Sequence, residues 1–339
     1  MTASVTALAP GKLFLMGEYA VLDGVPAIVA AVPPFVKVQL RRTPGRSTGR
    51  VAAAHLAAAA VVAARALPPS DGPLRFALAC LHVLREELGP AALAGIDISI
   101  EGTEPATKKL GLGLSAAISA ATTAGLLALS RVLSPNDGAP AMIFRQALAA
   151  HRLAQDGRGS GADVAASVFG GVLWFVPTSL ETVLPQPIQA APQWQLLAAW
   201  TGMPAATTEL VSLYREACHR APAAYQRFLR DSEVAVEQCR RALEHPNARI
   251  DEAFDLALCA MRRFSRATGF SPLTPPLERA IEVAWNCGVP AKWSGAGGGD
   301  CVIALASSPA KAEEVLQAWR EVGLHCWAAH WVTEGVHYG

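Results

Sequence analysis

Residues 108–117 read Lys-Lys-Leu-Gly-Leu-Gly-Leu-Ser-Ala-Ala, and from Ala116 the chain continues Ala-Ala-Ile-Ser-Ala-Ala-Thr-Thr-Ala-Gly-Leu-Leu-Ala-Leu. An alanine- and leucine-rich helix therefore begins where the glycines end. Glycine lets backbone approach a ligand closely, and the first turn of the helix offers unpaired N–H groups at a positive dipole end, which suits a phosphate. Ser115 stands where its hydroxyl reaches such a phosphate or its magnesium ion. Two other stretches concentrate the same residue types: Ala-Pro-Gly-Lys-Leu-Phe-Leu-Met-Gly-Glu-Tyr-Ala-Val-Leu at 9–22 and Lys-Trp-Ser-Gly-Ala-Gly-Gly-Gly-Asp-Cys at 292–301. Glycine at every position from 295 to 299 except Ala296 costs backbone entropy on ordering, which a plain turn does not require. That third loop leads into a strand, so it is read as lining the nucleotide or the substrate.

Two familiar phosphate motifs can be tested. No G-x-x-x-x-G-K-[ST] occurs, which argues against a Walker-type NTPase. Residues 111–116 do satisfy G-x-G-x-x-A, which keeps a dinucleotide-binding oxidoreductase as an alternative from another class. Its context is wrong: the preceding strand ends near Glu101, about ten residues early, and the acidic residue about 20 positions on, near Asp137, follows no strand.

Working outward, 339 residues at about 150 per domain suggest two domains, with a soft boundary in the proline-rich stretch at 185–192. Basic and acidic side chains number 29 and 28, so net charge gives no case for a nucleic-acid partner. Seven cysteines without a C-x-x-C pair fit neither a disulfide framework nor a zinc knuckle, and a reducing cytoplasm is the expected home. The N-terminus has no basic patch followed by an apolar run, so no secretory signal is read. Residues 51–67 are mostly alanine and include His55 and Arg65. They are too short and too weakly apolar to span a bilayer and are expected as a buried or half-buried helix. Strands are expected at 12–16, 27–32, 35–40, 96–100, 170–176, 195–200, 301–306 and 324–330. Helical character is expected over 48–88 with a break near 68–73, after the second glycine loop, over 141–155, through much of 208–268, and over 276–287 and 310–322.

In this order, the three glycine segments resemble the GHMP kinases, the family of galactokinase, homoserine kinase, mevalonate kinase and phosphomevalonate kinase. The stretch Gly-Glu-Tyr-Ala-Val-Leu at 17–22, Ser-Gly-Ala-Gly-Gly-Gly-Asp-Cys at 294–301, Gly-Ser-Gly-Ala-Asp-Val-Ala-Ala-Ser-Val-Phe-Gly-Gly at 159–171 and Trp-Thr-Gly-Met-Pro-Ala at 200–205 are similar to the phosphomevalonate kinase branch. Tyr19 and Asp300 carry that leaning. The resemblance implies an α+β, two-domain fold: an N-terminal domain like ribosomal protein S5 domain 2 over 1–187, which binds ATP, and a ferredoxin-like C-terminal domain over 188–339. It implies ATP and Mg2+ as cofactors, a small-molecule acceptor, and a monomer or homodimer. The implied reaction is transfer of the ATP γ-phosphoryl to the phosphate of 5-phosphomevalonate, with mevalonate or another small-molecule acceptor as the alternative. One departure stands out: the family usually has Gly-Leu-Gly-Ser-Ser-Ala-Ala in the second motif, and Leu114 here replaces the first serine.

The resemblance also implies roles. Lys12 would bridge the attacking group and the transferred phosphoryl, and Asp163 would orient or deprotonate the acceptor. By itself, Asp163 reads equally as a cap of the helix after it. Lys109, Gly111, Leu112, Gly113, Ser115 and Ala116 would hold the nucleotide, with Ser115 also on the metal. Lys12, Glu18, Tyr19, Arg152, Ser160, Gly161, Lys292, Ser294, Gly295, Ala296 and Gly297 would line the acceptor. Arg158 and Lys108 are further cationic candidates, Glu18 either holds its loop or helps bind metal, and Trp293 either packs or touches ligand. His151 is read as structural.

Overall fold

The computed structural model describes residues 3–63, 65–102, 110–132, 140–177, 184–245 and 248–339. Its first sheet is built on two long strands, β1 (Ala3–Met16) and β2 (Ala27–Arg42), paired antiparallel along nearly their whole length. The sequence suggests two short strands at 27–40, split by Pro33 and Pro34, but β2 runs through both. They fall where β2 faces the irregularity at Pro10 and Gly11, a place in a sheet that tolerates a missing N–H.

β3 (Thr48–Ala53) and β4 (Ala58–Ala63) follow, and then β5 (Ile96–Glu101), giving the run β1-β2-β5-β3-β4. Residues 51–67 are thus not the helix that their alanine content suggests. Val51 and Ala53 point into the core and alternate with more exposed neighbours, and β3 finds ladder partners on both sides. Gly49 fits only there, because a Cβ on it would meet the backbone of Ile96. Tertiary pairing here overrides the modest helix preference of alanine. Among the described residues, the α-helix within 48–88 is α1 (Arg75–Leu88), with a single 3-10 turn at Ala54–Leu56.

α2 (Leu114–Leu129), α3 (Pro140–Leu153) and α4 (Ala162–Phe169) pack with α1 on one face of this sheet. α2 is almost wholly buried, and its alanines at 116, 117, 120, 121 and 124 let the backbone lie close to β1 and β2. β6 (Val172–Phe175) adds to β2, and the short β7 (Gln186–Pro187) adds to β6. Only β3 and β5 pair in parallel, so the parallel sheet that a dinucleotide fold needs is absent from the described residues.

The second sheet has the order β11-β8-β10-β9, from β8 (Gln195–Trp200), β9 (Ala291–Ser294), β10 (Cys301–Ala306) and β11 (His325–Ala328). With α5 (Thr207–Arg220), α6 (Pro222–Glu244), α7 (Ile250–Thr268), α8 (Pro275–Asn286) and α9 (Pro309–Glu321), this is a ferredoxin-like arrangement with an enlarged first crossover. The final strand, β12 (His337–Tyr338), returns to the first sheet and pairs with β1. Between the sheets, Leu13, Leu15, Met16 and Ile28 share a core with Phe254, Leu196 and Ile303, so the two halves are joined by apolar packing. Among the described residues no helix is long and apolar enough to cross a membrane.

Candidate active site

The second glycine loop ends at the N-terminus of α2. Gly111 and Gly113 have φ of +77° and +76°, values natural to glycine. Gly113 occupies the N-cap position and has no side chain to satisfy the first turn, which leaves the Leu114 and Ser115 N–H groups for a ligand, while the Ala116 N–H donates back to the Gly113 carbonyl at 3.0 Å. A Cβ at Gly113 would collide with the stem of Lys12, whose Cγ lies 2.6 Å from that position. Lys12 enters from β1: its backbone N–H donates to the Leu112 carbonyl at 2.7 Å and its Nζ donates to the Gly111 carbonyl at 3.0 Å. The same ammonium is 3.7 Å from where a Cβ of Gly295 would sit. One lysine thus touches the second glycine loop and faces the third, with one of its three N–H donors committed.

The third loop is fastened by residues of the first segment and of its own strand. Tyr19, with a positive φ of +62°, donates its hydroxyl to the Ala296 carbonyl and packs its ring against Tyr214 and Phe270. Burial pushes its phenol above the ordinary tyrosine value, with Glu18 adding to the effect, so the hydroxyl stays protonated as a donor. Ser294 accepts from the Phe14 N–H at 2.9 Å, and Trp293, buried, donates to the Gly295 carbonyl at 3.1 Å. Gly297 packs against the Pro272 carbonyl, leaving no room for a Cβ. Asp300, also at a positive φ, accepts at its carboxylate from the Ala205 N–H at 2.9 Å, while its carbonyl accepts from the Thr201 N–H. Its carboxyl carbon lies 2.5 Å from where a Cβ of Gly111 would be, so the two glycine loops abut there.

On the other side of α2, Ser115 lies in its first turn, Asp163 in the first turn of α4, and His151 in the last turn of α3. His151 Nε2 is 3.4 Å from Ser115 Oγ and 3.7 Å from Asp163 Oδ2. Burial pushes the imidazole below its usual value, against the pull of Asp163 and with help from Arg75, so the ring is neutral near pH 7. The other Asp163 oxygen accepts from the Val164 N–H at 2.9 Å, which holds the carboxylate at the mouth of α4. Ser160 Oγ accepts from the Ala162 N–H, and Gly161, with φ +89°, is the N-cap of α4. The donor set suits magnesium: the cation takes one or two protein oxygens and relies on phosphates for the rest. A Ser115 hydroxyl and an Asp163 carboxylate on two adjoining helix N-termini supply that pair. No cluster of three His, Cys, Asp or Glu among the described residues offers an all-protein site.

The profile described as GHMP kinases N terminal domain matches residues 75–171, and that described as GHMP kinases C terminal matches residues 246–325. Phosphomevalonate kinase of Streptomyces sp. (strain CL190) is 31% identical over 93% of this chain and 94% of its own. The chain belongs to the GHMP kinases. Mevalonate kinase of Thermococcus sibiricus is 27% identical over 94% of this chain and 93% of its own. In fold, Streptococcus pneumoniae phosphomevalonate kinase in complex with phosphomevalonate and AMPPNP superposes with a TM-score of 0.81 at 21% identity, over 97% of this chain and all of that one.

Within this GHMP kinase, the structure brings Lys12, Gly111, Leu112, Gly113, Gly295, Ala296 and Gly297 to one junction, and Ser115, Ala116, Ser160, Gly161 and Asp163 to the adjoining helix ends. Lys292 does not join them. It is fully buried on β9, a strand with no solvent face, and its Nζ donates to Glu18 at 2.5 Å and to the Trp293 carbonyl at 2.7 Å. Lys292 is therefore corrected from an acceptor ligand to an internal counter-ion, and Glu18 holds its loop. Trp293 likewise packs. Arg158 is exposed and donates to Ser212 at 3.4 Å. Arg152, in the last turn of α3, remains a cationic candidate, whereas Lys108 and Lys109 lie outside the described residues. Sequence reasoning assigned His151 to structure. The one signal was its place on the buried stripe of α3, one turn after Ala147 and Leu148, where a polar side chain needs a partner.

Proposed function

We propose that this GHMP kinase transfers the γ-phosphoryl of ATP to the phosphate of 5-phosphomevalonate, giving 5-diphosphomevalonate. The observation that carries the reading is the Lys12 ammonium, bonded to the second glycine loop and facing the third, beside an uncapped helix N-terminus. Phosphoryl transfer asks a protein mainly for positioning and for neutralisation of developing charge. Lys12 supplies a cation where acceptor and donor phosphates meet, and the first turn of α2 supplies N–H donors for the nucleotide. Magnesium, held through Ser115 and Asp163, would offset phosphate charge. The choice of acceptor is supported by Tyr19 and Asp300, which fasten the third loop, and by the likeness to the Streptomyces phosphomevalonate kinase. A phosphate acceptor with a second pKa of about 6 is already mostly ionised near neutral pH. Asp163 therefore orients more than it deprotonates.

The test is ADP release with 5-phosphomevalonate, mevalonate, homoserine and galactose offered in parallel. Magnesium-dependent release fastest with 5-phosphomevalonate is expected. Equal or faster turnover of mevalonate overturns the acceptor and leaves the family standing.

A further inference from the structure

We infer that His151 is a positioning residue of the phosphoryl-transfer site, holding the Ser115 hydroxyl and the Asp163 carboxylate in one geometry through its Nε2. The inference rests on the reading that the N-termini of α2 and α4 flank the reacting phosphates. The imidazole is 2% exposed, yet its Nε2 faces two oxygens on two different helices, at 3.4 Å and 3.7 Å. A carboxylate only accepts, so the proton is assigned to Nε2, with Ser115 Oγ within hydrogen-bond distance at 3.4 Å and Asp163 Oδ2 just beyond it at 3.7 Å. Both distances are long, as catalytic hydrogen bonds often are before ligands bind. The ring cannot swing away, because Phe76 of α1 stacks on it with centroids 5.1 Å apart and planes 23° apart. Three helices thus meet at one nitrogen: α1 fixes the ring, and the ring fixes the polar groups at the ends of α2 and α4.

A buried histidine of purely structural use has no reason to select these two oxygens. Ser115 and Asp163 are the groups to which the proposed reaction assigns metal and acceptor. A donor fixed between them sets their spacing. Steric alignment of this kind is costly to lose, since a misplacement of about 1 Å can cost about 10²-fold in rate.

Two substitutions separate positioning from packing. His151→Phe keeps an aromatic ring to stack on Phe76 and removes Nε2, and His151→Gln places an amide N–H near the same point. With whichever acceptor the wild-type enzyme turns over, we expect His151→Phe to lose about 10- to 10²-fold in kcat. KM for the acceptor should hold within about twofold and the melting temperature within a few degrees, and His151→Gln should recover most of the loss. Wild-type kcat in His151→Phe overturns the proposal, as does equal impairment of both variants together with a lowered melting temperature. Nitrogen-15 NMR of labelled histidine reads the same claim without turnover: a protonated Nε2 whose signal moves on addition of magnesium and AMPPNP is expected. An unprotonated Nε2, or one indifferent to the ligand, refutes it. Because the NMR arm needs no acceptor, failure of the acceptor assignment leaves this test intact.

Discussion

Replacing Glu18 by glutamine tests the pair that ties the first motif to β9. The Lys292 ammonium is wholly buried, bonded to the Glu18 carboxylate at 2.5 Å and to the Trp293 carbonyl at 2.7 Å, with the Trp293 ring centroid 4.5 Å away. Glutamine keeps the shape and an acceptor oxygen but removes the counter-charge. Breaking a buried pair from one side costs about 3–5 kcal/mol, and the retained acceptor favours the lower figure. A chain of 339 residues at about 2.1 cal/mol/K per residue has an unfolding entropy of about 0.7 kcal/mol/K, so about 3 kcal/mol lowers Tm by about 4 °C. The pH dependence has a definite sign. Burial pushes Lys292 below the ordinary lysine value and Glu18 pulls it back up. A lysine lowered on folding binds fewer protons folded than unfolded, so its contribution to stability rises with pH up to about 10.4, the ordinary value. Without Glu18 the lowering deepens, and the deficit of the variant is largest near neutral pH and shrinks as the pH rises toward that value. Thermal melts from about pH 7 to about pH 9.5 measure it. A neutral-pH Tm within about 1 °C of wild type, or a deficit that grows with pH, would refute the reasoning. Adding Lys292→Met to Glu18→Gln removes the orphaned charge and should restore most of the lost Tm.

Lys12→Ala should lower kcat by about 10² or more, as loss of an electrostatic stabiliser does, with Tm changed by only a few degrees; near-normal turnover would show that the lysine is not in the chemistry. Gly111→Ala forces a side chain into φ +77° and against the Asp300 carboxyl, so both Tm and ATP affinity should fall. Asp300→Gly in the same chain should relieve the collision but not the backbone strain, giving a measurable non-additivity of about 0.5–3 kcal/mol. Leu114, half-buried against the first core, should on conversion to serine tighten ATP binding by about 1.5–3 kcal/mol and lower Tm. Calorimetry and melts on that variant decide between side-chain and backbone recognition of phosphate, since unchanged affinity with a lost Tm means that the loop binds through its N–H groups alone.

Local chemistry made much of this molecule legible in its sequence. The run after Gly113 begins a helix where expected, and the strand over 301–306 has the expected bounds, because glycine, helix formers and a short apolar run each act over a few residues. The alanines near 51–67 misled because alanine suits a helix intrinsically, and only pairing, of Val51 with Ala60 in the adjoining strand and with the distant Ile98, makes strands of them. Lys292 misled in the same way. Beside a glycine loop it reads as a ligand, and nothing nearby shows that Glu18, 274 positions earlier, is its counter-ion. The contacts of His151 with Ser115 and Asp163 were invisible because these partners come from helices that only the tertiary fold brings together.

The return of β12 to β1 bears on how the chain is made. His337 and Tyr338 pair with Leu8 and Ala7, and the Tyr338 hydroxyl donates to the Ala124 carbonyl at 3.2 Å. Tyr338 follows Ala7 by 331 positions (338 minus 7), which at about 5–20 residues per second is roughly 15 to 65 s of translation. Until β12 is made, β1 lacks its strand partner at Ala7 and Leu8, and an unpaired edge of that kind recruits other chains. The first sheet thus waits on a strand made more than 300 positions later, and a fragment ending near residue 187 should need a holding chaperone to stay soluble.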